Sequence, residues 1–239
     1  YDKVYASKIF NFSDGSDIQE DMIVGGTGID LKINLPNGMD QMDPDYTLYN
    51  YPHNIGFAQR GCRFNCSFCV VPQKEGKPKS VNTIEKLWTQ RSSDFLVLLD
   101  NDFFGNPEWS DRIDEIKELN LKVNFSQGLN IRIISEKQTQ ALASVKFRNL
   151  NNNSNQVTFA WDQINDEKVI KRGVQRVIDA GIKPYQMQFY VLVGFDTTPE
   201  EDMHRVMMIK GWGCDPYAMP YDRTVPYQRK FTTWVNHRA

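Results

Sequence analysis

Residues 54–69 read NIGFAQRGCRFNCSFC, an apolar segment of strand length followed closely by three of the chain's four cysteines. Cys62, Cys66 and Cys69 are separated by three and then by two residues. This spacing puts three thiolates on one short loop, where they can surround a small inorganic cluster and leave a fourth metal position without a protein ligand. We therefore expect the chemistry of the protein at this loop.

From residue 54 onward, apolar segments of strand length alternate with longer amphipathic segments. Six pairs follow one another: 55–59 with 83–90, 95–99 with 110–119, 122–125 with 136–145, 157–161 with 166–180, 186–193 with 199–209, and 218–221 with 227–236. Such a series predicts an α/β fold with a parallel sheet and right-handed crossovers. Six units predict a partial (βα)6, TIM-like barrel that stays open, since the closed barrel has eight units.

The first part of the chain has a different composition. Segments 4–12 and 22–26 read as short strands, and residues 36–52 are rich in Pro, Asp, Asn and Tyr. The glycine-rich stretch 25–28 lacks the Lys-Ser/Thr of a nucleotide-binding loop, so a tight turn is the favoured interpretation. We expect residues 1–53 to form a short N-terminal cap and residues 54–239 to form the barrel domain.

Composition and charge narrow the possible partners and location. The chain has 28 Lys and Arg against 30 Asp and Glu, and this net charge of -2 disfavours a nucleic-acid partner. No apolar run approaches the roughly 20 residues that span a bilayer, so we expect a soluble protein without a membrane partner. Because three of four cysteines fall within eight positions, a disulfide framework is a poor interpretation. Reduced thiols indicate a reducing compartment, the cytoplasm.

Thiolates are soft ligands, so three on one loop favour either an iron-sulfur cluster or zinc over calcium or magnesium. A structural zinc site usually has four protein ligands. The only fourth ligands that the cysteine spacing suggests are His53, nine residues before Cys62, and the distant Cys214. Spacing alone leaves both metals open and favours iron-sulfur.

The cysteine motif, with aromatic Phe68 before its last cysteine and a predicted first strand before it, resembles the radical S-adenosylmethionine (SAM) superfamily. The resemblance covers residues 54–234. It implies that Cys62, Cys66 and Cys69 hold a [4Fe-4S] cluster and that the amino and carboxylate groups of SAM bind the fourth iron. Such enzymes cleave SAM reductively to methionine and a 5'-deoxyadenosyl radical, which abstracts hydrogen from a substrate, here unidentified.

The resemblance also implies that Phe68 and several residues at the carboxyl ends of the predicted strands contact SAM. Asp100 and Asn101 stand where the family has a Gly-Gly-Glu motif for the amino group of SAM, although the glycine pair is missing here. Residues 126–132 are similar to a Gln-Gly-Leu-Asp-Ala-Arg-Leu stretch in a branch related to cobalamin-binding radical SAM proteins. Gln127, Asn130 and Arg132 would bind ribose hydroxyls or the carboxylate, although Arg132 could also face solvent.

The later strands supply five further predicted contacts. Asp162 would hold SAM or substrate, or else cap the helix predicted from residue 166. Val193 and Gly194 correspond to the element that flanks adenine, and Met219 and Tyr221 occupy the position that reads the adenine edge.

The N-terminal cap looks like a shortened cobalamin-binding-type domain, through residues 4–10, 25–28 and 44–46. Because it lacks the Asp-x-His-x-x-Gly signature that supplies a cobalt ligand, we expect no cobalamin. A radical enzyme of this kind needs a reductant such as flavodoxin or ferredoxin. The alternatives are an iron-sulfur module for redox sensing or electron transfer, and RNA modification of the methylthiolation type.

Overall fold

The computed structural model describes residues 3–11, 13–33, 36, 42, 46 and 51–237. It is a mixed α/β protein whose two larger sheets are parallel. No helix within these ranges is both long and apolar enough to cross a membrane.

A small parallel pair of strands forms the N-terminal part. Strand β1 (Tyr5–Ser7) pairs with β2 (Ile23–Gly25), which confirms both predicted strands over shorter ranges. Gly26 follows β2 with a positive φ of 101°, as expected for the predicted tight turn. Residues 44 and 45, which carry part of the proposed likeness to a cobalamin-type domain, lie outside the described residues.

The remaining elements alternate along the chain. In order they are β3 (Asn54–Gly56), β4 (Gln59–Arg60), α1 (Val71–Glu75), β5 (Lys79–Ser80), α2 (Ile84–Leu87), β6 (Phe95–Leu98), α3 (Trp109–Glu118), β7 (Lys122–Phe125), α4 (Glu136–Ala143), β8 (Lys146–Phe147), β9 (Val157–Ala160), α5 (Glu167–Asp179), β10 (Met187–Val193), α6 (Pro199–Gly211), β11 (Asp215–Pro220) and α7 (Pro226–His237).

The parallel strands form two sheets. One has the order β3-β6-β7-β8 and the other the order β9-β10-β11. A parallel bridge between Leu129 and Phe159 links the segment after β7 to β9. Because neighbouring strands run in the same direction, the segments that follow them emerge at a common edge. The predicted site residues therefore lie at or after the carboxyl ends of the strands.

Burial on both faces explains the sequence of the central strands. All four residues of β6 are buried, as expected for a parallel strand covered by helices on both sides. Helix α5 packs so closely that a Cβ at Gly173 would lie 2.3 Å from the Ile131 carbonyl oxygen. Only glycine allows this approach of helix to loop.

Several short elements differ from the sequence-based prediction. The antiparallel pair of β4 and β5, helix α1 and the two-residue strand β8 were not predicted, and α2 has four residues where a longer helix was expected. Strands of two residues have no periodicity that a sequence can display, since their pairing depends on a partner remote in the chain. Helix α2 ends early at Trp88, whose indole donates to the Ser93 carbonyl oxygen.

A buried ion pair joins α6 to the ends of two strands. The side chain of Arg205 is fully buried, donates to Asp202, and also donates to the carbonyl oxygens of Trp161, Asp162 and Leu192. Asp202 also accepts from Thr197, in the loop after β10, and from Tyr227, in α7. A buried charge is tolerated only when it is paired in this way.

We expect Asp202→Ala to lower the free energy of unfolding by about 3–5 kcal/mol, because it leaves the buried Arg205 guanidinium without its counter-charge. Urea denaturation measures this change. Glu200→Ala, an exposed change in the first turn of the same helix, is the control and should stay within about 0.5 kcal/mol of the parent. Equal stability of the two variants would contradict the role given to the pair.

Candidate functional site

A cavity of about 270 Å³ lies where the segments after β4, β6, β7 and β9 meet. All three clustered cysteines line it. So do six other residues predicted from sequence to bind SAM: Phe68, Asn101, Gln127, Asn130, Arg132 and Asp162. The cavity therefore collects residues that are separated by up to about a hundred positions in the chain.

The cysteines lie on a loop that we call the cysteine loop, residues 61–78, between β4 and β5. The antiparallel pairing of Gln59 with Ser80 and of Arg60 with Lys79 closes its base. Gly61 has a φ of 81°, and a Cβ there would lie 2.3 Å from the Lys77 carbonyl oxygen. The base of the loop therefore requires glycine at this position.

Glu75 fastens the end of α1 to the start of the cysteine loop. One carboxylate oxygen accepts from Arg60 at 2.7 Å, and the other accepts from the Gly61 amide at 2.9 Å and from the Asn101 side chain at 2.8 Å. Asn101 is thus held at the cavity wall by a residue of the loop. The network joins the loop to the carboxyl end of β6.

A second carboxylate holds the middle of the loop. Asp102 is 2% exposed and accepts two bonds from the Arg63 guanidinium, at 2.6 and 2.8 Å. Arg63 lies between the first two cysteines, so this two-pronged pair fixes the segment that carries them. Asp102 also donates its amide to Gln59, at 3.1 Å, which ties the pair to β4.

The thiols are partly buried and chemically distinct from Cys214. Burial raises the pKa of Cys62 and of Cys69, although amide donors oppose the rise, from Phe64 to Cys62 and from Val71 to Cys69. Burial raises the pKa of Cys214 to about 12. Because a thiolate is the form that binds metal, coordination would have to supply the charge stabilisation that this site lacks.

The geometry bears on the choice of metal. Within the described ranges, no three His, Cys, Asp or Glu side chains are grouped to hold a single metal ion. The donor set of three thiols on one loop is that of a cluster with one open iron.

The fourth ligands considered for zinc lie elsewhere. His53 precedes β3, where its ring packs on Phe95 at 4.9 Å and its Nδ1 lies 3.2 Å from the Ser93 hydroxyl. Cys214 immediately precedes β11 and belongs to the hydrophobic core. Both residues lie at the amino ends of strands, whereas the cysteine loop lies at the carboxyl ends.

Arg132 lies over the cysteine loop. Its guanidinium donates to Asp166 at 3.0 Å, lies 4.3 Å above the ring of Phe64, and places Nη2 at 4.0 Å from the sulfur of Cys66. The backbone amide of Arg132 donates to the Asn130 side-chain oxygen at 3.1 Å. The guanidinium is therefore directed into the cavity and towards a cysteine.

Asp162 also faces the cavity, at the end of β9. Its carboxylate accepts from the Leu192 amide at 3.1 Å, and burial raises its pKa, partly opposed by that bond and by Arg205 and Arg132. Helix α5 has no side-chain cap at its start, so Asp162 does not cap it. Of the two roles considered from sequence, helix capping is excluded, and binding of SAM or substrate stays a prediction.

Asp100 points away from the cavity. It accepts from the Ala58 amide at 2.8 Å, is 4% exposed, and has one oxygen without a partner in the described structure. Burial raises its pKa to about 7, although the Gln59 and Ala58 amides oppose the rise. In this structure Asp100 joins β6 to β3 and does not line the cavity, so a contact with SAM stays a prediction.

The four predicted residues of the last two strands also lie outside the cavity wall. Val193 packs in a small core with Ala218 and Phe231, Gly194 lies against Gln228, and Met219 is partly buried in β11. Tyr221 is exposed but its ring contacts Phe195 at 4.8 Å, and Phe195 contacts Phe68 at 5.3 Å. A chain of three aromatic rings thus links the end of β11 to the cysteine loop.

Sequence reasoning missed several residues of the site. Glu75 and Asp102 were not assigned the role of holding the cysteine loop, Asp166 was considered only as part of a helix start, and Phe64 and Gln163 were not considered. The partners of Glu75 come from two remote segments, residues 60–61 and Asn101, which no local pattern reveals.

Comparison of the chain with protein-family models and with curated proteins gives no match.

We expect the metal-free, reduced protein to show three accessible thiols and one slow thiol when titrated with Ellman's reagent at pH 8. Cys214 should react only on unfolding, because it is buried and its pKa is about 12. For Cys62 and Cys69 the raised pKa predicts a rate that still increases above pH 9, since only the thiolate reacts.

The matched control is Cys214→Ala, which should keep the three fast thiols and lose the slow one. Four equally fast thiols in the native protein would show that the burial described for Cys214 is wrong.

Proposed function

We propose that the protein is a radical SAM enzyme that acts on an unidentified substrate. The observation that carries the proposal is the cavity in which three thiols of one loop meet polar side chains that follow the parallel strands β6, β7 and β9. A protein that held a cluster only for structure would have no need of this shared, partly open cavity.

We also propose that the fold is an open, partial (βα)6 barrel. Six of the strands, β3, β6, β7, β9, β10 and β11, follow the chain in order, and each is parallel to its paired neighbours. The bridge between Leu129 and Phe159 supports continuity between the two sheets. In barrels of this type the residues that follow the strands form the active site.

In this proposal Cys62, Cys66 and Cys69 hold a [4Fe-4S] cluster. When bound, the cluster would supply an electron for the cleavage of SAM at its open iron. The chain's own contribution is to hold the three thiols on one anchored loop, through the Glu75 and Asp102 networks. A low-potential donor, of the flavodoxin or ferredoxin type, would deliver the electron in a reducing compartment.

Polar groups at the cavity wall are suited to orient SAM. The side-chain oxygen of Asn130 accepts from the Arg132 amide, which leaves the amide nitrogen of Asn130 to donate to a ligand. Gln127 is exposed at the rim, and the buried carboxylate of Asp162 can accept from a ribose hydroxyl or an ammonium. Asn101, held by Glu75, keeps its carbonyl oxygen to accept from the ammonium.

The adenine would lie towards β10 and β11. We propose that four residues there contact the adenine: Val193, Gly194, Met219 and Tyr221. The first three would do so through their backbone, since their side chains do not line the cavity. The ring chain from Tyr221 through Phe195 to Phe68 gives this side an apolar surface.

A second cavity supports the presence of a separate substrate. It has a volume of about 230 Å³, and Phe195, Asp196 and Thr197 line it from the loop after β10. Gln163 lines both cavities, so it lies between them. Two neighbouring cavities suit a reaction that needs a cofactor and a substrate side by side.

We expect anaerobic reconstitution with iron and sulfide to give an absorption band at about 400 nm. Addition of dithionite and SAM should then release 5'-deoxyadenosine. Cys66→Ala should lose both the band and the cleavage, because it removes one of the three cluster ligands. The control is Cys214→Ala, which removes a core cysteine and should retain both.

The outcomes separate the candidate functions. An intact cluster without release of 5'-deoxyadenosine would favour an iron-sulfur module for redox sensing or electron transfer. Retention of the absorption band in Cys66→Ala would overturn the assignment of the cluster to these cysteines.

We expect Asn130→Ala to weaken SAM binding by about 3- to 10-fold, the usual effect of losing one neutral hydrogen bond. Equilibrium dialysis of the reconstituted protein with labelled SAM measures the dissociation constant. Asn151→Ala, in the exposed asparagine-rich loop before β9, is the control and should bind SAM as the parent does. Unchanged binding by Asn130→Ala would remove Asn130 from the SAM site.

A further inference from the structure

The position of Arg132 gives it a role beyond SAM binding. We propose that Arg132 raises the reduction potential of the cluster by placing a positive charge beside the Cys66 ligand. This inference rests on the proposed function, because it assumes that Cys66 binds the cluster. The observation behind it is the distance of 4.0 Å between Nη2 of Arg132 and the sulfur of Cys66.

Two contacts hold the guanidinium in this position, and a third holds the backbone of Arg132. Asp166 accepts from Nη1 at 3.0 Å, the ring of Phe64 lies 4.3 Å below the guanidinium carbon, and the Asn130 side chain accepts from the backbone amide of Arg132. The side chain is only partly exposed, at 21%. A charge fixed in a partly dry site acts more strongly on a neighbour than a mobile surface charge does.

The sign of the effect follows from charge alone. Reduction adds one electron to a cluster whose thiolate ligands are already negative, so a fixed cation nearby stabilises the reduced form more than the oxidised form. The reduced form is therefore reached at a higher potential. Hydrogen bonds and charges near the ligand sulfurs are known levers of this kind in iron-sulfur proteins.

Asp166 opposes part of this effect. Its carboxylate is bonded to Nη1, while Nη2 is the nitrogen that faces Cys66. The nearer charge at the sulfur is therefore positive, and the carboxylate reduces its influence without reversing it. Removal of the Asp166 charge should shift the potential in the direction opposite to removal of the Arg132 charge.

Arg132 is also predicted from sequence to contact SAM, and its bond to Asp166 occupies only Nη1. The effect of the charge on the cluster is therefore measured without SAM.

The test is a redox titration of the reconstituted protein with dithionite, followed by electron paramagnetic resonance without SAM. For Arg132→Gln we expect the equilibrium constant of one-electron reduction to fall by about tenfold or more, which is about 59 mV for one electron. Arg132→Lys keeps the charge and should stay within about threefold of the parent. Asp166→Asn should shift the constant upward.

The control is Arg172→Gln, which removes the same charge from the exposed face of α5 and should leave the potential unchanged. Equal potentials in Arg132→Gln and Arg172→Gln would overturn the inference. So would an equal fall in Arg132→Lys and Arg132→Gln, because shape and not charge would then be responsible.

The result also separates this inference from the proposed function. If the parent protein takes up no cluster, the proposed function and this inference are both wrong. If it takes up a cluster whose reduction potential does not depend on Arg132, only this inference is wrong. Should Arg132→Gln fail to fold, Arg132→Met, which also removes the charge, replaces it in the same comparison with Arg172→Gln.

Discussion

The position of the three thiols depends on two carboxylates that belong to no cysteine motif. Asp102 takes both arms of the Arg63 guanidinium, and Glu75 joins Arg60, the Gly61 amide and Asn101. Asp102 is nearly inaccessible to water. If Arg63 moved away, the Asp102 carboxylate would remain buried without its counter-charge, which is energetically costly. The loop is thereby held on the sheet although it contains little regular structure of its own.

A second buried pair of arginine and carboxylate, Arg205 with Asp202, lies behind the other side of the cavity. Arg205 and Asp202 are fully buried, and together they connect α6 to the ends of β9 and β10 and to Thr197 in the loop after β10. Buried pairs of arginine and carboxylate therefore support the cavity from both halves of the structure. Preformed walls of this kind lower the conformational cost of ligand binding.

Much of the framework could be predicted because it has strong local signals. The long helices α3, α5 and α6 have amphipathic patterns or capping residues, such as Thr198, which caps α6 ahead of Pro199. The strands that consist of β-branched or aromatic runs were also predicted. Strand β11 begins three residues earlier than predicted, at Asp215. The two-residue strands were missed because their hydrogen bonds depend on remote partners.

The sequence by itself determined the spacing of Cys62, Cys66 and Cys69 and the order of strands and helices, since both are local properties of the chain. Only the tertiary structure decided how three consecutive residues after β6 divide their roles. Asp100 turns back to the Ala58 amide, Asn101 lines the cavity, and Asp102 binds Arg63. The tertiary structure likewise brings Arg132 from one strand end to Cys66 on another. These contacts arise because parallel strands place distant segments at one edge, where packing and not sequence separation sets the distances.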